Sequence, residues 1–276
     1  MEHSTVAAMA ALPFRALLVL DDPQPRAAAW NMACDEAWLE QLAADSATPT
    51  TAPTPLLRVY RWTQPAVSLG YFTPLAAIAG GQFINAAVVR RWTGGGVVAH
   101  GDECDWTYSL IVPHALPLAR LRADESYRFI HLALLRALQQ THDTTEWTLD
   151  AGLPHANSQT SASHVQDAAA TPCFVRPVRA DVLCAGQKVA GAAQRRSRAG
   201  LLHQGSVQGP ARPVDATMRL AFLTAFADAL CPDRAAQLWH HGHLESWPNP
   251  AAAAVAARAE NLATTKYATA AWLHKR

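Results

Sequence analysis

The sequence has few charged residues and almost no excess of either sign. Asp, Glu, Lys and Arg make up 16% of its 276 residues, and the formal net charge is +1 at pH 7. About a quarter of a typical globular chain is charged, so this sequence offers no basic face for nucleic acid or for an anionic membrane surface. We therefore expect neither nucleic acid nor membranes among its partners.

Long apolar runs are also missing. A helix needs about 20 consecutive apolar residues to cross a bilayer, and the longest apolar stretches here fall well short of that length. Residues 1–4 (Met-Glu-His-Ser) lack the positively charged segment that opens a secretory signal. On these grounds we expect a cytoplasmic protein.

Cysteine is sparse, and its spacing is irregular. No two of the five cysteines form a Cys-x-x-Cys pair, which argues against a disulfide framework and against a zinc site, so reduced thiols are expected. The cysteines are Cys34, Cys104, Cys173, Cys184 and Cys231. Among the twelve histidines, His240, His241 and His243 are close together, but no cysteine or carboxylate cluster accompanies them. This pattern favours surface histidines over metal ligands.

The chain is long enough for one large domain, which would bury roughly three quarters of its unfolded surface. We predict a poorly ordered N-terminus over residues 1–13 and a single domain over 14–276. Residues 151–171 are rich in Ala, Ser, Thr, His and Gln and carry few large apolar side chains. Such a segment cannot bury enough surface to become ordered, so we interpret it as a flexible loop.

Strand-like and helix-like patterns alternate along the chain. Strand composition is found over residues 14–20, 57–62, 86–90 and 106–112. Apolar residues recur at helical spacing over 125–140 and from Asp215 onward, and residues 251–257 are rich enough in Ala to be helical. Asn31 is the predicted N-cap of an earlier helix. Its predicted buried residues are Met32, Trp38, Leu39 and Leu42. The pattern indicates a mixed α/β fold.

The most informative stretch covers residues 90–100, where two arginines, three glycines and a histidine follow an apolar, strand-like segment. Glycine has no Cβ, so the backbone of Gly94, Gly95 and Gly96 can come close to a ligand and turn its N–H groups toward an acyl or phosphate oxygen. The neighbouring arginine adds a rigid fork of donors. Taken alone, three glycines favour a glycine-rich hairpin turn between solvated arginines.

A second segment favours the binding site. Lys188 lies in an apolar, strand-like run between Gly186 and Gly191. A buried ammonium group is costly unless it meets a ligand oxygen or a carboxylate. We therefore expect the side chain of Lys188 to point into a site.

Together these segments resemble the superfamily of lipoate-protein ligases, octanoyltransferases and biotin ligases. The resemblance runs in order from about residue 14 to residue 276. The segments that carry it are 57–62, 67–72, 90–100, 186–196, 200–207 and 266–272. It implies an α/β (α+β) catalytic domain in which mixed, mostly antiparallel sheets pack against helices.

The resemblance also implies roles for individual residues. Lys188 matches the essential lysine of the superfamily, which contacts the acyl carbonyl. Backbone donors and this lysine could stabilise a developing oxyanion by on the order of 3 kcal/mol per donor. The wall of the acyl pocket would comprise Arg91, Thr93, Gly94, Gly95, Gly96, His100 and Gly191.

Cys173 is the residue that distinguishes between branches of the superfamily. Its Pro-Cys-Phe setting resembles the segment of single-domain octanoyltransferases in which a cysteine forms a thioester with the octanoyl chain. A nearby ammonium such as that of Lys188 would stabilise the thiolate and lower its pKa. Cys184 is the rival, because strand alternation places it on the same face as Lys188 if no bulge intervenes. We treat Cys104 as incidental.

The implied activity is transfer of an octanoyl group from acyl carrier protein to a lysine of a lipoyl domain or a glycine-cleavage H-type protein, with no cofactor required. The runner-up is an ATP-dependent lipoate-protein ligase assisted by Mg²⁺. A non-catalytic binding protein is the third alternative, since fold alone does not establish activity. It is kept because the family order Gln-His-Gly-Ser is replaced here by His203-Gln204-Gly205-Ser206. The exchange moves the imidazole to the opposite face of a strand.

Overall fold

The computed structural model describes residues 13–48, 52–81, 83–101, 105–143, 146–152 and 177–275. Residues 1–12, most of the predicted loop at 151–171, Cys104 and Cys173 lie outside the described residues. The expectations for an N-terminus without order, a flexible loop and one domain over 14–276 stay predictions.

The strands of the described residues form two sheets. They are β1 (Leu17–Arg26), β2 (Leu56–Trp62), β3 (Ala66–Leu69), β4 (Ala87–Arg90), β5 (Val97–His100), β6 (Asp105–Pro113), β7 (Trp147–Leu149), β8 (Val182–Cys184), β9 (Gln187–Arg196), β10 (Gly200–Gln208) and β11 (Gln237–His241). The larger sheet has the order β11-β1-β2-β6-β10-β9-β8-β7, and the smaller has the order β4-β3-β5. All four predicted strands are present, although the first begins at Leu17 and extends to Arg26.

Most neighbouring strands run antiparallel. The parallel pairs are β1 with β11, β1 with β2 and β3 with β4. The other pairs are antiparallel, including the continuous run from β2 through β6, β10, β9 and β8 to β7. The predicted mixed, mostly antiparallel fold is therefore confirmed.

Helices cover both faces of the larger sheet. They are α1 (Ala28–Ser46), α2 (Pro117–Arg120), α3 (Ala123–Thr141), α4 (Ala216–Leu230), α5 (Ala252–Leu262) and α6 (Ala270–Leu273), with a π-helical turn at Ala263–Tyr267. Because side chains alternate along a strand, Tyr108 and Leu110 of β6 pack with α3 and α4, whereas Ile111 packs with α1 and α5. None of the helices in the described ranges has the length and apolarity to cross a membrane.

Asn31 does not cap α1, so that prediction was wrong. The helix begins at Ala28, and Asn31 is fully buried inside it. Its Oδ1 accepts a hydrogen bond from Arg58 Nη2 (2.9 Å), and its Nδ2 donates to the carbonyl oxygen of Arg61 (2.9 Å). Arg58 also forms a buried ion pair with Asp35 (2.8 Å). The side chain of Asn31 thus forms hydrogen bonds with β2, and helix-capping preferences do not predict such a contact between distant segments.

The predicted helix start at Asp215 is confirmed, and it provides a stability test. The Asp215 carboxylate accepts a hydrogen bond from Met218 N (2.8 Å) at the first turn of α4. Asp215→Ala should lower the free energy of unfolding by about 1 kcal/mol, since one N–H of the first turn loses its acceptor. Urea denaturation measures this loss. Asp215→Asn keeps an acceptor and should retain most of the stability; equal losses in both variants would contradict the capping role.

Candidate functional site

Residues of both sheets line one cavity. It has about 480 Å³ of empty space, counted to its open mouth. Part of its wall is apolar and suits an acyl chain. The side chains of this part are Met32, Tyr60, Val98, Ala192 and Ala193.

The structure brings five of the predicted site residues to this cavity. They are Arg91, Gly95, His100, Lys188 and Gly191. Three others stand behind the wall: Thr93 is buried and donates to Gln204 Oε1 (2.8 Å), and the carbonyl oxygens of Gly94 and Gly96 accept hydrogen bonds from Arg91 (2.9 and 3.1 Å). Residues from both halves of the chain therefore meet at one site. Cys173 lies outside the described residues.

Lys188 forms a buried ion pair with Asp181. The distance from Lys188 Nζ to Asp181 Oδ2 is 2.7 Å, and the two side chains are 7% and 0% exposed. The carboxylate compensates for the cost of burying the ammonium, as expected from the sequence. Sequence reasoning did not identify Asp181 as the partner, although it stands immediately before the strand that pairs with the lysine strand.

Asp181 is fixed by two further donors. Tyr127 OH donates to Asp181 Oδ1 (2.5 Å) while accepting from Ala192 N (2.9 Å), and Val178 N donates to Asp181 Oδ2 (2.7 Å). Burial, together with the nearby charge of Asp181, raises the pKa of Tyr127 well above its usual value, so the phenol keeps its proton and donates. These hydrogen bonds fix the Asp181 carboxylate, which in turn positions the ammonium of Lys188.

A tight hairpin turn places Lys188, and it overturns one expectation about Cys184. Ala185 and Gly186 have φ values of 49° and 77°, as in a two-residue turn between β8 and β9. Leu183 pairs with Lys188, and Cys184 pairs with Gln187. Cys184 and Lys188 thus belong to neighbouring strands and opposite faces, so the prediction that strand alternation places them on one face was wrong. Burial raises the pKa of the Cys184 thiol, with a smaller contribution from Glu146.

Gly191 provides the space in which Lys188 lies. A Cβ at residue 191 would be 2.5 Å from Lys188 Cε, 2.7 Å from its Nζ and 3.2 Å from Asp181 Oδ1. Any other side chain would push the ammonium away from the carboxylate. The glycine is therefore required by the position of the lysine.

The guanidinium of Arg91 forms hydrogen bonds with the glycine loop and with Ser68 rather than projecting away from them. Arg91 Nη1 donates to Ser68 O (2.7 Å) and Ser68 Oγ (2.6 Å), while Nη2 reaches the Gly94 and Gly96 carbonyls. At Gly70, a Cβ would lie 1.8 Å from the carbonyl oxygen of Gly95, so the end of β3 packs directly on the loop. The guanidinium thus shapes the wall and adds positive charge to it.

The exchanged pair His203 and Gln204 points to opposite faces of β10, as predicted. Gln204 lines the cavity and donates to Asp35 Oδ2 (2.8 Å). His203 is buried on the other face, where Gln194 Nε2 donates to its Nδ1 (3.1 Å). Burial lowers the pKa of His203 well below its usual value, and nearby His131 lowers it further. The neutral imidazole of His203 packs with the rings of Tyr108, Tyr127 and His131.

Sequence reasoning also missed Ser68, which lines the cavity beside His100 and Arg91. It is a lone polar residue in the apolar strand β3, the same signal that identified Lys188. Within the described ranges, no group of three or more His, Cys, Asp or Glu side chains is placed to hold a metal ion.

The chain is similar in sequence to a protein family and to individual known proteins. Residues 27–210 match the family model "Lipoyl protein ligase A/B catalytic domain". Octanoyltransferase LipM from Oceanobacillus iheyensis is 31% identical over 186 residues, which cover 66% of this chain and 60% of that relative. The chain therefore matches less than two thirds of the length of this relative.

Two solved structures share the fold. Protein Ta0514 from T. acidophilum, solved with bound lipoic acid, has a TM-score of 0.62 at 18% identity and covers 94% of this chain and 98% of its own. A structure from the bi-partite lipoate protein ligase and E2 lipoyl domain system of Thermoplasma acidophilum has a TM-score of 0.56 at 18% identity, with coverages of 94% and 96%. Since the family model matches more than half of its residues, this chain belongs to the lipoyl protein ligase A/B catalytic domain family.

Proposed function

We propose that the protein transfers an octanoyl group from a thioester donor, acyl carrier protein, to a lysine of a lipoyl domain or glycine-cleavage H-type protein. The observation that carries this proposal is the buried pair of Lys188 and Asp181 on the wall of a partly apolar cavity. The similarity to an octanoyltransferase supports octanoyl as the transferred acyl group. The lipoyl domain in the system of a structural neighbour supports a lipoyl domain as the acceptor.

In the proposed first step, the Cys173 thiolate attacks the carbonyl carbon of the donor thioester. A new C–S bond forms, and the pantetheine thiolate of the donor leaves.

Lys188 is proposed to act on the oxyanion in both half-reactions. Lys188 lines the cavity, so its ammonium is proposed to stabilise the negative charge that develops on the carbonyl oxygen. The same charge favours the thiolate over the thiol. Asp181 is a positioning residue, since it holds the ammonium without lining the cavity itself.

In the second step, the neutral amine of the acceptor lysine attacks the acyl-cysteine. A C–N bond forms, the C–S bond breaks with its electron pair on sulfur, and the amine gives up one proton to water, so that the amide is neutral and the thiolate of Cys173 is regenerated. The donor thioester is already activated, and the cysteine intermediate conserves that activation. The proposed cycle needs neither ATP nor Mg²⁺.

The test follows the intact mass of the protein after incubation with octanoyl-acyl carrier protein in the absence of ATP. Wild type and Cys184→Ser should gain one thioester-linked octanoyl group that neutral hydroxylamine removes, whereas Cys173→Ser should gain no hydroxylamine-sensitive group; added lipoyl domain should then remove the thioester adduct. An adduct on Cys173→Ser that is lost in Cys184→Ser would identify the other thiol. If the acceptor is modified only with free octanoate or lipoate and Mg-ATP, the protein is a ligase. If the acceptor is modified under neither condition, the result favours the non-catalytic binding protein.

A further inference from the structure

Three buried side chains on the cavity form a continuous hydrogen-bonded chain. Ser68 Oγ lies 2.6 Å from His100 Nε2, and His100 Nδ1 lies 2.7 Å from Asp105 Oδ2. Ser68 and His100 line the cavity, while Asp105 stands behind them. The proposed transfer through Cys173 and Lys188 does not use this arrangement.

The hydrogen-bond partners of Ser68 and His100 determine where the protons of this network lie. The Asp105 carboxylate only accepts, so His100 Nδ1 carries the proton that faces Asp105 Oδ2. In the neutral imidazole Nε2 is then an acceptor, and Ser68 Oγ, which itself accepts from Arg91 Nη1 (2.6 Å), donates its proton to it. This is the protonation pattern of a serine that a histidine base is ready to activate.

Asp105 is held in place by several donors. Its Oδ2 accepts from Thr107 Oγ1 (2.7 Å) and Ser206 Oγ (2.9 Å), and its Oδ1 accepts from Gly101 N (3.1 Å). The ring of Trp62 stacks on His100 with centroids 4.2 Å apart and planes 18° from parallel. The imidazole is therefore fixed both in its plane and in its tautomer.

We propose that Ser68, His100 and Asp105 form a second, serine-based acyl-transfer site in this cavity. Ser68 Oγ attacks the carbonyl carbon of an acyl thioester or ester, and its proton passes to His100 Nε2. The C–S or C–O bond breaks, and the leaving group takes that proton from His100. Water then attacks the acyl-serine, His100 accepts a proton from the water, and the acyl group leaves as the carboxylic acid with Ser68 restored.

The charges around Ser68 favour this reaction. The Arg91 guanidinium contacts Ser68 Oγ and can stabilise a negative oxygen that forms beside it, and Lys188 adds a second cation to the lining of the same cavity. The apolar side chains of the wall provide space for the acyl chain. The inference rests on the acyl-binding cavity of the proposed function but uses a different nucleophile, so each can fail alone.

The experiment treats wild type and Cys173→Ser with a fluorophosphonate that carries an eight-carbon alkyl chain. Attack by Ser68 Oγ on phosphorus expels fluoride and leaves a stable adduct, which intact mass and peptide mapping locate. Both proteins should be labelled once, at Ser68. Labelling of Cys173→Ser keeps this result separate from any failure of the cysteine mechanism. A folded wild type that gains no label at Ser68 would overturn the proposal.

Two variants separate reactivity from a merely structural role. Asp105→Asn should slow labelling by about 10²- to 10⁴-fold, because the histidine loses its orienting carboxylate. Ser109→Ala is the control, since Ser109 is a buried serine that donates to Asp35 Oδ2 (2.5 Å) on the neighbouring network. It should be labelled at Ser68 at the wild-type rate. Labelling of Asp105→Asn at the wild-type rate would contradict the histidine-activated serine, and Ser68→Ala should remain unlabelled.

Discussion

Replacing Lys188 with alanine should lower the rate of octanoyl transfer by about 10²- to 10³-fold, the usual cost of removing one donor to a developing oxyanion. The loss should appear mainly in kcat, because the charge on the carbonyl oxygen is largest in the transition state. Single-turnover transfer from octanoyl-acyl carrier protein measures it. Lys275→Ala removes an exposed lysine and serves as the control.

The Lys188→Ala variant also leaves the buried Asp181 carboxylate without its ion-pair partner, which by itself can cost about 3–5 kcal/mol of stability. A double variant, Lys188→Met with Asp181→Asn, removes both charges and should recover most of the thermal stability. It should not recover transfer. If Lys188→Ala transfers the acyl group within a few-fold of wild type, or if the double variant regains activity, the lysine has no role in the reaction.

Gly191→Ala should cost a comparable factor in transfer rate without removing any charged group. Its methyl group would stand 2.5 Å from Lys188 Cε, so the lysine must leave the position that Asp181 gives it. Gly80→Ala is the matched control, because a Cβ there meets nothing within 4 Å. Both variants are compared by the single-turnover assay and by thermal unfolding.

The outcome for Gly191→Ala separates two explanations of this glycine. Loss of transfer with near-wild-type unfolding would indicate that the glycine serves the lysine. Full activity in Gly191→Ala would show that the position of Lys188 beside Asp181 is not needed for catalysis. Equal losses of transfer in Gly191→Ala and Gly80→Ala would show that the effect does not come from the contact between residue 191 and Lys188.

Several features could be predicted from the sequence because they depend on neighbours along the chain. Strand and helix patterns identified β2, β6 and α3 within two residues at each end. The cap at Asp215 is a local interaction and was also identified. Asn31 was assigned wrongly, because its partner Arg58 is distant in sequence and belongs to a different element.

The sequence by itself determined the family pattern, the glycine loop and the isolated lysine in an apolar strand. It also determined that His203 and Gln204 face opposite sides, since alternation is a local property of any strand. Lys188 could be expected to need a ligand oxygen or a carboxylate, because the cost of burying its charge follows from its apolar neighbours. These conclusions rest on residues that are adjacent in the chain.

Only the tertiary structure decided which groups meet. The turn at Ala185 and Gly186 separated Cys184 from Lys188, and folding brought Asp181 to the ammonium. The contact between Ser68 on β3 and His100 on β5 depends on strand pairing, because Ser68 aligns with Val98 while its side chain reaches His100. Pairing and register are set by the whole buried core, so no short segment of sequence contains them.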